Sequence, residues 1–154
     1  MSQLLDAIAG VANAAEPLPG LVTGGQPAAQ HLKALKDAGC QVVLDCRDPM
    51  EPRPLREPED ARALGLEYVC IPVGHSGVSD ETFAKIRETM RGLVAKRNAL
   101  FHCASGNRVG AAMIPYLMLD RGLPEEEAVQ EAMKMGMRSA GLMQEALEYV
   151  GRTV

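Results

Sequence analysis

The sequence predicts a single α/β domain with a mostly parallel central sheet, flanked by helices and followed by a C-terminal helical bundle. Short apolar runs rich in β-branched residues alternate with amphipathic helical patterns, which is typical of βαβ units. Three helical patterns then follow one another in the last third of the chain. With 154 residues, the chain is long enough to bury a substantial core. We assign residues 1–19 to an N-terminal helix or arm and residues 20–154 to the α/β domain.

Four segments have the composition of buried strands. Each is a short apolar run bounded by glycine, proline or polar residues, the pattern of strands covered on both faces. The first of them ends in a turn at "GGQP". The predicted strands lie within residues 21–27, 40–46, 66–73 and 99–103.

Helices are predicted between and after these strands. Ser79 is the expected N-cap of a long helix, because Asp80 and Glu81 follow it in the first turn. Pro115 falls inside a helical pattern and predicts a kink there. The predicted helices lie at 27–38, 59–65, 80–94, 108–122, 124–136 and 139–151.

Residues 47–58, "RDPMEPRPLREP", contain four prolines in 12 residues and predict an irregular surface loop. Basic side chains in and beside this segment could attract an anionic substrate, but acidic side chains alternate with them. This alternation favours a solvated loop. The charged residues are Arg47, Glu51, Arg53, Arg56, Glu57, Glu59 and Asp60.

The composition argues against several classes of function. The net charge is −4, with no basic run and only 5 aromatic residues, so nucleic-acid binding has little support. No apolar run approaches the ~18 residues of a membrane span, and the N-terminus lacks the basic region of a secretory signal. The four cysteines form no C-x-x-C pair, which favours reduced thiols in a cytoplasmic protein. The three histidines are scattered, so neither a metal nor another cofactor is predicted.

Residues 101–110, "FHCASGNRVG", place a thiol between a buried strand and a helix. Small residues after Cys103 allow the backbone to curl until its N–H groups point at one centre. A helix that starts near Arg108 adds its positive end, and the guanidinium can hold an oxyanion by two hydrogen bonds. We expect this field to lower the pKa of Cys103 and make it a nucleophile. The expected anion-binding residues are Ala104, Ser105, Gly106, Asn107, Arg108 and Val109.

Other residues follow strands at the same edge of the sheet and could converge on Cys103. Cys46 could resolve an oxidised or persulfidated Cys103 through a disulfide. Alternatively, it is simply a small buried residue. Asp45 could face the site, or it could bond to loop backbone.

The segment "HCASGNRVG" resembles the signature loop of cysteine-based protein tyrosine and dual-specificity phosphatases. Residues 20–136 resemble one bacterial branch, the beta-lactamase-hydrolase-like phosphatase domain, which is related to the phosphatase domain fused to NAD kinases. The matching stretches are "LVTGGQP", "CQVVLDCRD", "LEYVCIPV", "FHCASGNRVGA" and "GLPEEEAV". The resemblance, which includes His102 before the cysteine, implies a phosphoric monoester hydrolase with an anionic phosphorylated substrate. Cys103 would form a cysteinyl phosphate, and Arg108 would bind the oxyanions.

Two features depart from the phosphatase pattern. Four residues, not five, separate Cys103 from Arg108, and this spacing resembles the Cys-x-x-Gly-x-Arg loop of rhodanese-type sulfurtransferases. Val109 stands where the phosphatases have Ser or Thr, whose hydroxyl helps the thiolate leave. A sulfurtransferase that carries a Cys103 persulfide is therefore the second hypothesis, and an anion-binding module without strong catalysis is the third.

Phosphate monoester cleavage also needs an acid for the leaving oxygen. The resemblance places this acid on the loop after the strand "YVCIPV", where His75 stands instead of the usual aspartate. Histidine can serve as an acid near neutral pH, although it could also be a solvated loop residue. Asp80 is the second candidate, although its place in a first helical turn favours interaction with the helix dipole. The apolar C-terminal third is compatible with a homodimer and equally with simple core packing.

Overall fold

A computed structural model describes residues 2–153 of the chain and confirms the single α/β domain. Its sheet has five strands in the order β1-β2-β5-β3-β4. The four strands from β2 to β4 are parallel, and β1 pairs with β2 in the antiparallel direction at one edge. The strands are β1 Ala15–Leu18, β2 Leu21–Gly24, β3 Val42–Asp45, β4 Glu67–Cys70 and β5 Ala99–His102.

Seven α-helices are described, and they lie close to the positions that the sequence predicts. Ser79 caps the fourth helix as expected, because its hydroxyl accepts the Thr82 N–H at 3.1 Å. The helices are α1 Gln3–Ala7, α2 Ala29–Asp37, α3 Glu57–Ala63, α4 Asp80–Leu93, α5 Asn107–Pro115, α6 Glu125–Lys134 and α7 Ala140–Thr153.

Helices cover both faces of the sheet, and each face has its own apolar core. The first three helices pack on one face and the last four on the other, as the membership of the two buried clusters shows. The apolar side chains of the C-terminal helices belong largely to the second of these cores, so core packing accounts for the apolar composition of this third.

Two details differ from the sequence-based expectation. The strand β1, within the predicted N-terminal helix or arm, was not predicted, because "AEPL" is short and only partly buried. Pro115 ends α5, and the chain continues into a π-helical turn at Tyr116–Asp120. Proline has no N–H to donate to the preceding helical turn, and the wider π-helical turn accommodates the missing hydrogen bond. The distortion that the sequence predicts at Pro115 is therefore a π-helical turn. Among the described residues, no helix is both long and apolar enough to cross a lipid bilayer.

The register of the sheet brings the carboxyl ends of three strands together. Gly24 of β2 and Asp45 of β3 both lie opposite His102, the last residue of the central strand β5. The loops that follow these strands therefore start side by side. Such edges are where α/β proteins place their functional groups.

Candidate active site

Cys103 follows the central strand directly and lies at the floor of the loop between β5 and α5. Its side chain is fully buried, and the Gly106 N–H donates to Sγ at 3.1 Å. A side-chain hydrogen bond from Cys46 is the largest influence, and it lowers the pKa of Cys103 to about 5 against the opposing effect of burial. The N–H groups of Val109, Ser105 and Gly106 lower it further. These contacts favour the thiolate form of Cys103.

Cys46, one residue beyond β3, is the hydrogen-bond partner of this thiolate. Burial and the neighbouring negative sulfur raise the pKa of Cys46 well above its ordinary value. These opposite shifts favour a neutral Cys46 thiol as the donor and an ionised Cys103 as the acceptor. The structure brings together the two cysteines that the sequence placed at neighbouring strand ends.

Two glycines allow the cysteine loop to take its shape. Gly106 has φ +96°, a left-handed conformation that favours glycine, and it precedes the first residue of α5. A Cβ at Gly25 would meet the Ala104 carbonyl oxygen at 2.5 Å, so this position tolerates only hydrogen. The Asn13 side chain closes the loop from the N-terminal segment by donating to the Ser105 carbonyl oxygen at 2.7 Å.

Arg108, the second residue of α5, is almost fully buried and forms a two-pronged ion pair with Glu51. Nη1 donates to Oε2 at 2.7 Å and Nη2 donates to Oε1 at 3.1 Å. Glu51 also accepts from Arg47 Nε at 3.0 Å and from the Asp48 N–H at 2.8 Å. The Arg108 guanidinium is the first cause that holds the pKa of Glu51 far below its ordinary value.

This arrangement leaves one side of the Arg108 guanidinium available. A guanidinium has five N–H donors, and Glu51 engages one on each terminal nitrogen. The Nε–H and the neighbouring Nη–H are parallel to each other and are not used by this carboxylate. They form the second pair with which arginine binds an oxyanion.

A buried group of charges lies beneath the cysteine loop. Asp45 accepts Arg53 Nη2 at 2.6 Å and the Tyr68 hydroxyl at 2.6 Å, and Glu57 pairs with His102 Nε2. Both carboxylates and the imidazole are fully buried. Asp45, Glu57 and His102 could together offer ligand atoms to a metal ion, but the Arg53 cation already faces both carboxylates.

The charged segment after β3 is therefore not the solvated loop that the sequence predicts. Arg47 and Glu57 are buried, and the Arg53 side chain is only 8% exposed, so the prediction was wrong for these residues. Their partners lie on other strands and on α5, and alternating charge along the chain cannot reveal such pairings. Arg56 and Glu59 are exposed, as expected.

Asp45 fulfils the second of its two expected roles. Its Oδ1 accepts the Arg47 N–H at 2.9 Å, so it bonds to loop backbone as well as to side chains. Asn107 is the first residue of α5, at the end of the cysteine loop, and its side chain faces the start of α7. Asn107 Oδ1 accepts the N–H groups of Arg138 at 2.7 Å and Ser139 at 3.0 Å.

The two candidate acids occupy different surroundings. His75 is exposed on the loop after β4, two residues beyond Val73. The Val73 N–H donates to the Cys46 carbonyl oxygen at 2.9 Å, so this loop starts beside the cysteine pair. Asp80 is exposed at the start of α4 and pairs with Arg152 of α7 at 2.7 Å. Asp80 thus forms a surface ion pair, whereas His75 has no ion-pair partner among residues 2–153.

Comparison with known proteins identifies the fold through solved structures, whereas the sequence comparisons find no match. No protein-family model matches the chain, and no curated protein matches it.

Solved structures, in contrast, match over nearly the whole chain. A DUF442 protein of Shewanella putrefaciens CN-32 is 21% identical, with a TM-score of 0.81 and coverage of 97% of both chains. The kinase associated phosphatase KAP is 14% identical, with a TM-score of 0.76 and 86% coverage of both chains. TpbA of P. aeruginosa is 18% identical, with a TM-score of 0.69, covering 93% of this chain and 85% of TpbA. The protein has the fold of the cysteine-based tyrosine and dual-specificity phosphatases.

Proposed function

We propose that the protein is a cysteine-dependent phosphoric monoester hydrolase. The observation that carries this proposal is the position of Cys103, whose Sγ accepts the Gly106 N–H at 3.1 Å at the start of the helix that carries Arg108. A nucleophile at the floor of an anion-binding loop suits attack on phosphorus. The phosphatase fold supports the same reading.

In the proposed reaction, Sγ of Cys103 attacks phosphorus and the bond to the leaving oxygen breaks. The free Nε and Nη donors of Arg108 and the loop N–H groups hold the equatorial oxygens, where negative charge must be stabilised. A proton from His75 neutralises the leaving oxygen. Water then attacks phosphorus, the S–P bond breaks, and the thiolate leaves with release of phosphate.

The substrate class follows from the charge of the site. A bound anion would face one guanidinium and the positive end of α5, which suits a phosphorylated group. A variant of TpbA has been solved in complex with pTyr, so an aryl phosphate is a reasonable first substrate for this chain. The four cysteines are free in the structure, and we assign the protein to the reducing cytoplasm.

A sulfurtransferase is the second candidate, because four residues separate Cys103 from Arg108 as in rhodanese-type loops. In that reaction, the thiolate takes a sulfane sulfur from thiosulfate, sulfite leaves, and a thiol or cyanide later accepts the sulfur. The absence of a hydroxyl at Val109 is compatible with this chemistry. The phosphatase fold argues against it.

One experiment separates the candidates. Purified protein is given para-nitrophenyl phosphate in one assay and thiosulfate with cyanide in another, with Cys103→Ser as the inactive variant and Cys70→Ser as the matched control. We expect phosphate release that Cys103→Ser abolishes and Cys70→Ser retains. Thiocyanate without phosphate release would overturn the proposal in favour of sulfur transfer. Silence in both assays with retained phosphate binding would indicate a binding module.

A further inference from the structure

The imidazole of His102 lies between Glu57 and the cysteine loop, and both of its nitrogens have partners. Nδ1 lies 3.1 Å from the Cys103 carbonyl oxygen, and Nε2 contacts Glu57 Oε2. A carbonyl oxygen can only accept, so Nδ1 must carry a proton. The remaining question is whether the proton between Nε2 and Glu57 resides on the imidazole or on the carboxyl group.

The contacts of Glu57 favour the imidazole as the site of that proton. Glu57 Oε1 accepts from Gln26 Nε2 at 2.6 Å and lies 3.7 Å from Arg53 Nε. A donor and a cation beside this oxygen stabilise the charged form of the carboxyl group, which is in any case a stronger acid than an imidazolium. A carboxylate at Glu57 leaves the proton on Nε2, and the resulting buried ion pair keeps its charges compensated.

The groups that face His102 come from three parts of the fold. Glu57 lies on α3, and Asp45 on β3 has its Oδ1 3.9 Å from Nε2. Arg53, in the loop between them, faces both carboxylates. Burial by itself lowers the pKa of His102, but the hydrogen bond and charge of Glu57, together with Asp45, outweigh it and raise the pKa.

We propose that Glu57 is a positioning residue that keeps His102 doubly protonated, so that a buried imidazolium lies beside Cys103 and fixes the first carbonyl of its loop. The carbonyl of Cys103 is held by Nδ1–H, and this sets the direction of the peptide that follows. The same imidazolium adds positive charge one residue from the thiolate. Glu57 thereby acts on the nucleophile without touching it. This inference rests on the proposed role of Cys103, but its test needs no turnover.

The direct test uses the unmodified protein. The chain has three histidines, so the His102 signals in ¹⁵N spectra of the imidazole side chains can be assigned with His31→Gln and His75→Gln. We expect both His102 ring nitrogens to be protonated at pH 7. A neutral His102 imidazole at pH 7 would overturn the proposal, because the proton would then reside on Glu57.

The second test measures the effect on the thiol. In Glu57→Gln the carboxylate charge is lost and the side-chain shape is kept, and Glu59→Gln is the matched control on the exposed side of α3. We expect the pH midpoint of Cys103 alkylation by iodoacetamide to rise by about one unit in Glu57→Gln and to stay unchanged in the control. A folded Glu57→Gln with an unchanged midpoint would contradict the proposal. If Glu57→Gln does not fold, the spectrum of the unmodified protein decides alone.

These readouts are independent of the proposed reaction. A protein that releases no phosphate but shows the imidazolium and the shifted midpoint would refute the phosphatase function and leave the role of Glu57 intact. Phosphate release from a protein with a neutral His102 would support the phosphatase function and refute the role of Glu57.

Discussion

The guanidinium of Arg108 and the carboxylate of Glu51 meet end to end, with both terminal nitrogens bound to the two carboxylate oxygens. Glu51 is itself held by Arg47 and by the Asp48 N–H. A carboxylate fixed in this way limits the rotation of a long side chain. The consequence is that the Nε side of Arg108 is kept in one orientation before any anion arrives.

Glu51→Gln is expected to weaken the binding and turnover of anions. The amide keeps the size of the side chain but loses the charge that orients Arg108, and a charge-assisted hydrogen bond contributes about 1.5–3 kcal/mol. We expect kcat/KM for para-nitrophenyl phosphate to fall by at least about tenfold. Inhibition by vanadate, measured in parallel, should weaken as well. If Glu51 instead competes with the anion for Arg108, vanadate will bind more tightly to this variant.

Replacement of Cys46 should raise the pKa of Cys103. Because the pKa of Cys103 is lowered to about 5, iodoacetamide alkylation should increase as the pH rises through about 5 and then level off. Cys46→Ala removes the S–H donor and should move this midpoint upward by about one unit or more. Cys46→Ser restores a donor and should keep the midpoint near that of the unmodified protein. Equal midpoints in all three proteins would show that Cys46 does not stabilise the thiolate.

Mild peroxide treatment should link Cys46 to Cys103. Peroxide converts the Cys103 thiolate to a sulfenic acid, the Cys46 sulfur attacks it, and water leaves as the disulfide forms. Peptide mass spectrometry should detect the linked pair, and dithiothreitol should restore alkylation of Cys103. In Cys46→Ser, the same treatment should drive Cys103 to the sulfinic acid, which dithiothreitol does not reverse. Absence of the linked peptide at doses that oxidise Cys103 would refute the disulfide.

Val109 should slow the second half of the proposed reaction. Phosphatases with a similar loop have a hydroxyl here that helps the thiolate leave, and valine has none. We expect a burst of para-nitrophenol close to one equivalent per Cys103, followed by a slower steady rate. Val109→Thr nearly preserves the side-chain volume and should raise the steady rate by about tenfold, the effect of one hydrogen bond. A steady rate that is unchanged in a folded Val109→Thr would mean that breakdown of the intermediate is not limiting.

The role of His75 can be tested by comparing the effect of its replacement on substrates with poor and good leaving groups. A poor leaving group needs protonation more than a good one does. His75→Gln should therefore reduce kcat by about 100-fold with phenyl phosphate and by only a few-fold with para-nitrophenyl phosphate. Asp80→Asn should show no such difference, because Asp80 pairs with Arg152. The opposite pattern in the two variants would assign the proton to Asp80.

The parts of the fold that repeat a local pattern could be predicted from the sequence. The parallel strands, the capped helix at Ser79 and the cysteine loop each carry their signal within a few neighbouring residues. Cys103 and Arg108 could be selected as candidates in this way because they share one loop. The nearness of Cys46 to Cys103 could also be predicted, since parallel strands end at the same edge of a sheet.

The residues that support the site could not be predicted in the same way. Glu51 and Arg108 are separated by 57 positions, and Glu57 and His102 by 45. Their segment is rich in proline and charge, which usually indicates solvent exposure, and nothing local distinguishes a buried Glu57 from the exposed Glu59. These pairs form only because the folded chain carries this segment over the edge of the sheet.

The hydrogen bond from Asn13 to the Ser105 carbonyl has a practical consequence for anyone who trims this protein. A shortened chain that begins at residue 20, the start of the α/β domain by sequence alone, would lose Asn13 together with β1. The cysteine loop would then lose one of the hydrogen bonds that hold its backbone, although every residue of the loop would still be present. Deletions should therefore stop short of Asn13 if the loop is to keep its native form.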